Sequence, residues 1–266
     1  MVNEQGNIER RHFLIKSAYF FTCSLLGLGG LKKAFAHEGK KARKTGKPQI
    51  ALIIDDIGYN KDTLRQFLRL EIPLTFAVLP RLRNTKNFAE EIHSNNHEII
   101  LHQPMEPYNS SLDPGPGALF VKDKSTKIIK VLEENICNTP HIKGLNNHMG
   151  SRFTSSRDKM NEALHVIKDY KLFFIDSLTT SQSTAYESAK KLDIAAGFRN
   201  IFLDNKPDEE RIKCQLRRLL SHAERFGHGI GIGHPYVATA RAIEHFIGNI
   251  NRNDISLVNA STLIPL

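Results

Sequence analysis

The chain has 266 residues, of which 40% are hydrophobic and 24% charged, and a formal net charge of +9. That is enough chain for one large α/β domain or two small ones, and no internal stretch is long and apolar enough for a transmembrane helix. Much of the positive charge is local: Arg10, Arg11, Lys16, Lys32 and Lys33 face only Glu4 and Glu9 within 1–36, and Lys40, Lys41, Arg43, Lys44 and Lys47 crowd the segment that follows. Basic residues in a linker-like stretch are accounted for by solvation, so the excess makes no case for a nucleic-acid partner.

The N-terminus reads as an address. Arg10-Arg11-His12-Phe13-Leu14-Ile15-Lys16 is a twin-arginine pattern, followed by a modest apolar run from Ala18 to Leu31. Ala34-Phe35-Ala36 supplies small residues for cleavage before His37. Residues 1–36 are therefore expected to be a Tat-type signal peptide, 37–48 a basic linker, and 49–266 one exported, periplasmic domain without a membrane span. Cys23 would leave with the signal, and Cys137 and Cys214 are expected as buried thiols on two helices.

Beyond Pro48, short apolar runs alternate with amphipathic helical segments. The predicted strands cover 49–54, 74–79, 98–101, 143–146, 172–175, 200–203, 229–232 and 256–258. The clearest helix spans 207–226: Pro207 starts it, Asp208, Glu209 and Glu210 fill its first turn, Ile212, Leu216, Leu219, Leu220 and Ala223 form its apolar face, and Gly227 stops it. A Ser125 cap precedes another helical pattern through Ile128, Ile129, Leu132 and Ile136. Such alternation argues for parallel strands with helical crossovers, and seven or eight repeats fit a closed or nearly closed β/α barrel. The stretch 103–124, with Pro104, Pro107, Pro114 and Pro116, is too long for an ordinary connection and reads as a functional lid or rim.

Polar residues follow nearly every predicted strand. Asp55-Asp56 follows the first, His102-Gln103 the third, Asn146-Asn147-His148 the fourth, Asp176-Ser177 the fifth, Asp204-Asn205 the sixth and His234 the seventh. In a parallel barrel those ends meet at one mouth. Two adjacent carboxylates at the end of the apolar run 50–54 repel each other and desolvate badly, and a bound cation removes that conflict. Asp56, His102 and His148 offer one carboxylate and two imidazoles, a set suited to zinc or another first-row divalent metal with positions left open. Asp55 is then the natural base, His234 a general acid across the mouth, and Asp176 the group expected to orient His234. Asn147, Ser151, Arg152 and Glu106 are the candidate substrate contacts around them.

At these residues the chain resembles the divergent polysaccharide deacetylases, the YibQ-like relatives of NodB-type carbohydrate esterases. The resemblance lies in ALIIDDIGYN (51–60), FAVLP (76–80), HEIILHQPMEP (97–107), GLNNHMGSRFTS (144–155), FFIDSLT (173–179), FLD (202–204) and IGIGHPYVAT (230–239). It implies a distorted (β/α)7–8 barrel and metal-dependent N-deacetylase ancestry, with a polysaccharide or oligosaccharide as substrate. It maps the base onto Asp55, a metal ligand onto Asp56 and the acid onto His234. One departure stands out. The NodB pattern draws both metal histidines from a His-x-x-x-His motif, but Glu106 stands four residues after His102, so the second imidazole has to come from elsewhere, with His148 the candidate. The rival expectation is an envelope glycan-binding or scaffold protein that keeps the fold without turnover; the chain has no Trp and no obvious aromatic platform for that role.

Overall fold

A computed structural model of the chain describes residues 46–264. The expected signal peptide and all but the last three residues of the expected linker, together with Cys23, lie outside them. Nine parallel strands form one sheet: β1 (Gln49–Ile57), β2 (Thr75–Val78), β3 (Glu98–Met105), β4 (Ile142–Met149), β5 (Phe173–Asp176), β6 (Ala196–Phe198), β7 (Ile201–Phe202), β8 (His228–Gly233) and β9 (Ser256–Val258). The helices are α1 (Lys61–Leu68), α2 (Thr85–Ser94), α3 (Ser125–Asn138), α4 (Arg157–Asp169), α5 (Ala185–Lys191), α6 (Glu209–Phe226), α7 (Val237–Asn249) and the short α8 (Ala260–Leu263). Among the described residues no helix is long and apolar enough to cross a membrane.

The strand order is β6-β5-β4-β3-β2-β1-β8-β7, with β9 on β1. The outermost strands β6 and β7 are not paired with each other, yet only Arg199 and Asn200 separate them in sequence. So short a link spans at most about 10 Å, which forces the sheet to curl until its edges nearly meet. Arg199 N donates to Asp176 O on one side of the seam, and Asn200 N to Ile230 O on the other. The outcome is the expected distorted parallel barrel with outer helices, closed across one seam by the chain rather than by a ladder.

Strand residues alternate between two faces, and the core follows that alternation. Ile50, Leu52 and Ile54 pack outward with residues of α1, α2, α6 and α7. Ala51 and Ile53 point inward, joining Ala77, Ile100, Phe173, Ile175, Ile230 and Ile232. A second outer cluster joins Leu101, Leu145 and Phe174 to α3, α4 and α5. Below, Ala260 and Ile264 plug the barrel interior. The plug is held by Thr75 and Glu98, which accept from the Ala260 and Ser261 amides at 2.9 and 3.1 Å. Its other end is the mouth.

Several elements differ from expectation. β3 and β4 run three or more residues past the apolar runs, because their polar residues still pair across the ladder, His102 opposite Asn146 and Pro104 opposite His148. β6 was not expected; Ala-Gly-Phe is too short and small to register as an apolar run. Helix α6 starts at Glu209, with Asp208 as the cap accepting from Arg211 N, and Pro207 precedes the cap. Gly227 ends it in the left-handed region at φ 91°. In α3 the cap is Lys124 and Ser125 is the first helical residue. Cys137 and Cys214 are both free and exposed, not buried, since each lies off the apolar stripe of its helix.

The outward face of β8 is unusual: Gly229, Gly231 and Gly233 alternate with inward isoleucines. A Cβ on Gly231 would stand 2.6 Å from Leu219 Cδ2, so α6 sits closer to β8 than any side chain there allows. Gly231→Val should therefore destabilise the fold by about 1–3 kcal/mol through overpacking, read as a lowered denaturation midpoint in urea with an unchanged slope.

Candidate metal centre

Inward parity places one polar residue after another at the mouth. Beyond Ala51 and Ile53, Asp55 is the next inward position of β1, and it is buried. His102 follows Ile100 on β3, Asn146 and His148 follow Gly144 on β4, and His234 follows Ile232 on β8. Asp56 would point outward by the same count. A bulge prevents this: between Ile54 and Ile57 β1 advances three residues while β2 advances two, and Asp56 adopts a left-handed φ of 57°. The extra residue re-aims the Asp56 carboxylate into the mouth, and a non-glycine left-handed residue is strain held in place by its surroundings.

Three ligand atoms converge there. Asp56 Oδ1 lies 3.0 Å from His102 Nε2 and 2.8 Å from His148 Nδ1, and the two nitrogens are 3.1 Å apart. Asp55 and Asn146 select the tautomer of neutral His102. The Asp55 carboxylate can only accept, so the Asn146 amide nitrogen faces it, donating at 2.8 Å. The amide oxygen of Asn146 then faces His102 Nδ1 at 2.7 Å, and Nδ1–H donates to it. In the neutral ring this leaves the Nε2 lone pair aimed at the other two ligand atoms. Buried Asp56 Oδ1 meanwhile accepts no well-directed hydrogen bond. Lone pairs and a carboxylate oxygen gathered at such distances repel unless a cation lies among them. Donors around a tetrahedral zinc stand about 3.4 Å apart, so a few tenths of an ångström of expansion fits a first-row divalent ion. The residues present fit the group.

The electrostatics agree. Burial disfavours the imidazolium of His102, yet Asp55 and Asp56 raise its pKa, so the surroundings ask for positive charge. Burial likewise works against ionised Asp56, but His102 and His148 hold its carboxyl well below the usual range. For Asp55 burial dominates and pushes the pKa up, against the lowering influence of His102 and His234. Burial disfavours charged His234 as well, but its bond to Asp204 and the charges of Asp55, Asp204 and Asp56 push its pKa up to about 9. His234 Nε2 stands 3.8 Å from Asp56 Oδ2.

The residue that orients His234 is Asp204, and the expectation for Asp176 is corrected. Asp204 Oδ1 binds His234 Nδ1 at 2.8 Å, and its other oxygen accepts from the His234 amide and from Thr239 Oγ1. Asp176 has the outward parity of Phe174. Its carboxylate is occupied by Ser183 Oγ at 2.6 Å and by the amides of Leu178 and Tyr186. Asn147 is also an outward residue: it accepts from Ser177 N and donates to Met149 O, a loop brace rather than a free substrate contact. Glu106 and Arg152 pair with each other at 3.1 Å, and Glu106 also accepts from Val121 N, which ties the 106–124 loop to the end of β4. Ser151 Oγ accepts from Tyr108 N. Asn146, Asp204 and Arg199 received no role from the sequence. Arg199 donates to Ser177 O and Leu178 O, and its charge reaches Asp55. Counting parity from the apolar residues would have found Asn146 and rejected Asp176.

Comparison with known proteins places this centre in context. The profile of the divergent polysaccharide deacetylase family matches residues 52–264. The chain is 33% identical over 216 residues to the uncharacterized protein YibQ of Escherichia coli, covering 81% of this chain and 67% of that one. Its fold matches that of the uncharacterized protein ATU2773 from Agrobacterium tumefaciens with a TM-score of 0.78 at 22% identity, over 86% of this chain and 94% of that one. It also matches that of the Bc1960 peptidoglycan N-acetylglucosamine deacetylase with a TM-score of 0.52 at 14% identity, over 82% and 89%. A bulge-presented carboxylate with two strand-borne imidazoles, on a chain matched by the family profile along nearly all its described length, makes this a member of the divergent polysaccharide deacetylase family.

Proposed function

We propose that the protein is an exported, metal-dependent hydrolase that removes N-acetyl groups from a polysaccharide. The observation that carries this reading is the convergence of Asp56, His102 and His148 beside a buried carboxylate and a hydrogen-bonded third histidine. Family membership supports a polysaccharide substrate, and the likeness to a peptidoglycan N-acetylglucosamine deacetylase supports an N-acetylated envelope glycan. The twin-arginine pattern supports export to the periplasm.

Asp56, His102 and His148 would hold the ion, and zinc best suits one carboxylate with two imidazoles. When bound, such an ion polarises a carbonyl and acidifies water. Asp55 accepts the proton of the attacking water: burial raises its basicity and Asn146 fixes its orientation. His234 delivers a proton to the departing amine nitrogen. Asp204 holds that imidazole by Nδ1, which leaves Nε2 facing the reacting centre. The products are acetate and a free amino sugar.

Four outcomes test the assignment. Asp55→Asn should lower acetate release from an N-acetylated glycan by about 10²–10⁴-fold while bound zinc, measured by elemental analysis, stays at the wild-type level. His148→Ala should lose most of that zinc on dialysis; full retention removes His148 from the ligand set. The pH dependence follows from the raised pKa of His234. A raised pKa keeps the acid protonated below about pH 9 and loses it above, so kcat/KM should fall on an alkaline limb near 9. Asp204→Asn removes the main support for that proton and should move the limb toward the ordinary histidine value near 6.5, with the largest loss around pH 8. Wild-type protein that holds zinc yet frees no acetate from any N-acetylated glycan would leave the scaffold reading in its place.

A further inference from the structure

Seven large hydrophobic side chains of the described residues are exposed, and four of them sit on loops that leave the mouth: Tyr59, Tyr108, Leu112 and Tyr236. Tyr59 is 68%, Tyr108 53% and Tyr236 45% exposed. Single exposed aromatics are ordinary on a protein surface, but these three tyrosines leave the same strand ends that carry the metal centre. We propose that Tyr59, Tyr108 and Tyr236 form a stacking rim that binds the pyranose rings of an extended glycan chain on both sides of the metal centre. This deepens the deacetylase reading and rests on it.

The topology spreads the three along the mouth. Tyr236 follows β8, its ring 5.9 Å from that of His234. Tyr59 follows the bulge on β1, and Gly58 beside it packs against Leu82 beyond β2. Tyr108 follows β3 and reaches across the ends of two further strands: its amide donates to Ser151 Oγ after β4, and its hydroxyl to Gln182 Oε1 after β5, at 3.0 Å. The order β5-β4-β3-β2-β1-β8 therefore puts Tyr108 on one flank of the centre, Tyr236 on the other and Tyr59 between. Partial burial, with the charges of Asp204 and Asp56, raises the Tyr236 phenol pKa, which agrees with its place at the edge of the site.

The rim's chemistry selects a carbohydrate over a protein partner. The tyrosines are separated, not fused into one apolar patch, and exposed Asn109, Ser110 and Gln182 stand among them. A sugar ring offers an apolar C–H face and a hydroxyl edge, which matches rigid aromatic planes set among short polar groups. Tyrosine also supplies such contact area at small entropic cost.

The test uses the full chain loaded with zinc, with Asp55→Asn blocking turnover, titrated calorimetrically with N-acetylglucosamine oligomers from dimer to hexamer. In this background affinity should rise at least about tenfold from dimer to hexamer. Tyr108→Ala and Tyr236→Ala should each remove most of that gain, Tyr→Phe at either position should keep it, and Tyr170→Ala, an exposed tyrosine away from the mouth, should leave it intact. A parent without length dependence, or alanine variants within twofold of the parent for the hexamer, overturns the rim. Acetate release by wild-type protein from the same oligomers reports separately on the hydrolase. Turnover without length-dependent binding sinks the rim alone. Length-dependent binding lost with the tyrosines, without turnover, keeps the rim and sinks the hydrolase.

Discussion

The structure depends on the cost of gathering negative charge and ligand nitrogens in a dry place. Asp55 and Asp56 are adjacent, Asp55 is buried, and three imidazoles and a third carboxylate stand close by. Alone in low dielectric, such a set would neutralise by proton uptake. Asn146, Asp204 and the bulge keep it aimed. Asn146 holds Asp55 and His102 at once, so the orientation of the expected base and that of one ligand are a single adjustment. Asp204 does the same for His234 and is itself held by the Thr239 hydroxyl. The centre is thus a braced unit whose net need is positive charge.

How much of this was legible in sequence follows from which signals are local. Apolar runs separated by amphipathic segments are local, and they pointed to the parallel barrel, to the polar residues that follow each strand, and to Asp55, Asp56, His102, His148 and His234 as one group. Side-chain facing is local too, but only if the alternation is counted through the polar residues. Carrying the count from Ile53 to Asp55 and from Phe174 to Asp176 separates the inward carboxylate from the outward one. The bulge at Asp56 was not legible, since an Asp-Asp pair fits a turn, a cap or a regular strand end equally well.

What remained hidden depends on distant partners. Asp204 and His234 are 30 residues apart and Asn146 and Asp55 are 91 apart, and neither distance leaves a mark in the chain. Asparagine at the end of an apolar run looks like the end of its strand until the ladder is known to continue past it. The exposed tyrosines were invisible for a similar reason: each is ordinary in its own loop, and only the strand order makes them neighbours along one rim.

The unpaired edges of the sheet carry a consequence of their own. Strands β6 and β7 are strapped together by Arg199 and Asn200 rather than by rungs of hydrogen bonds. The gap between those edges is therefore bounded by covalent tether length, and Arg199, reaching from that strap to the carbonyls of Ser177 and Leu178, ties the seam to the loop beside Asn146. One added residue in the strap would let that seam open and free the loop that Arg199 holds beside Asn146.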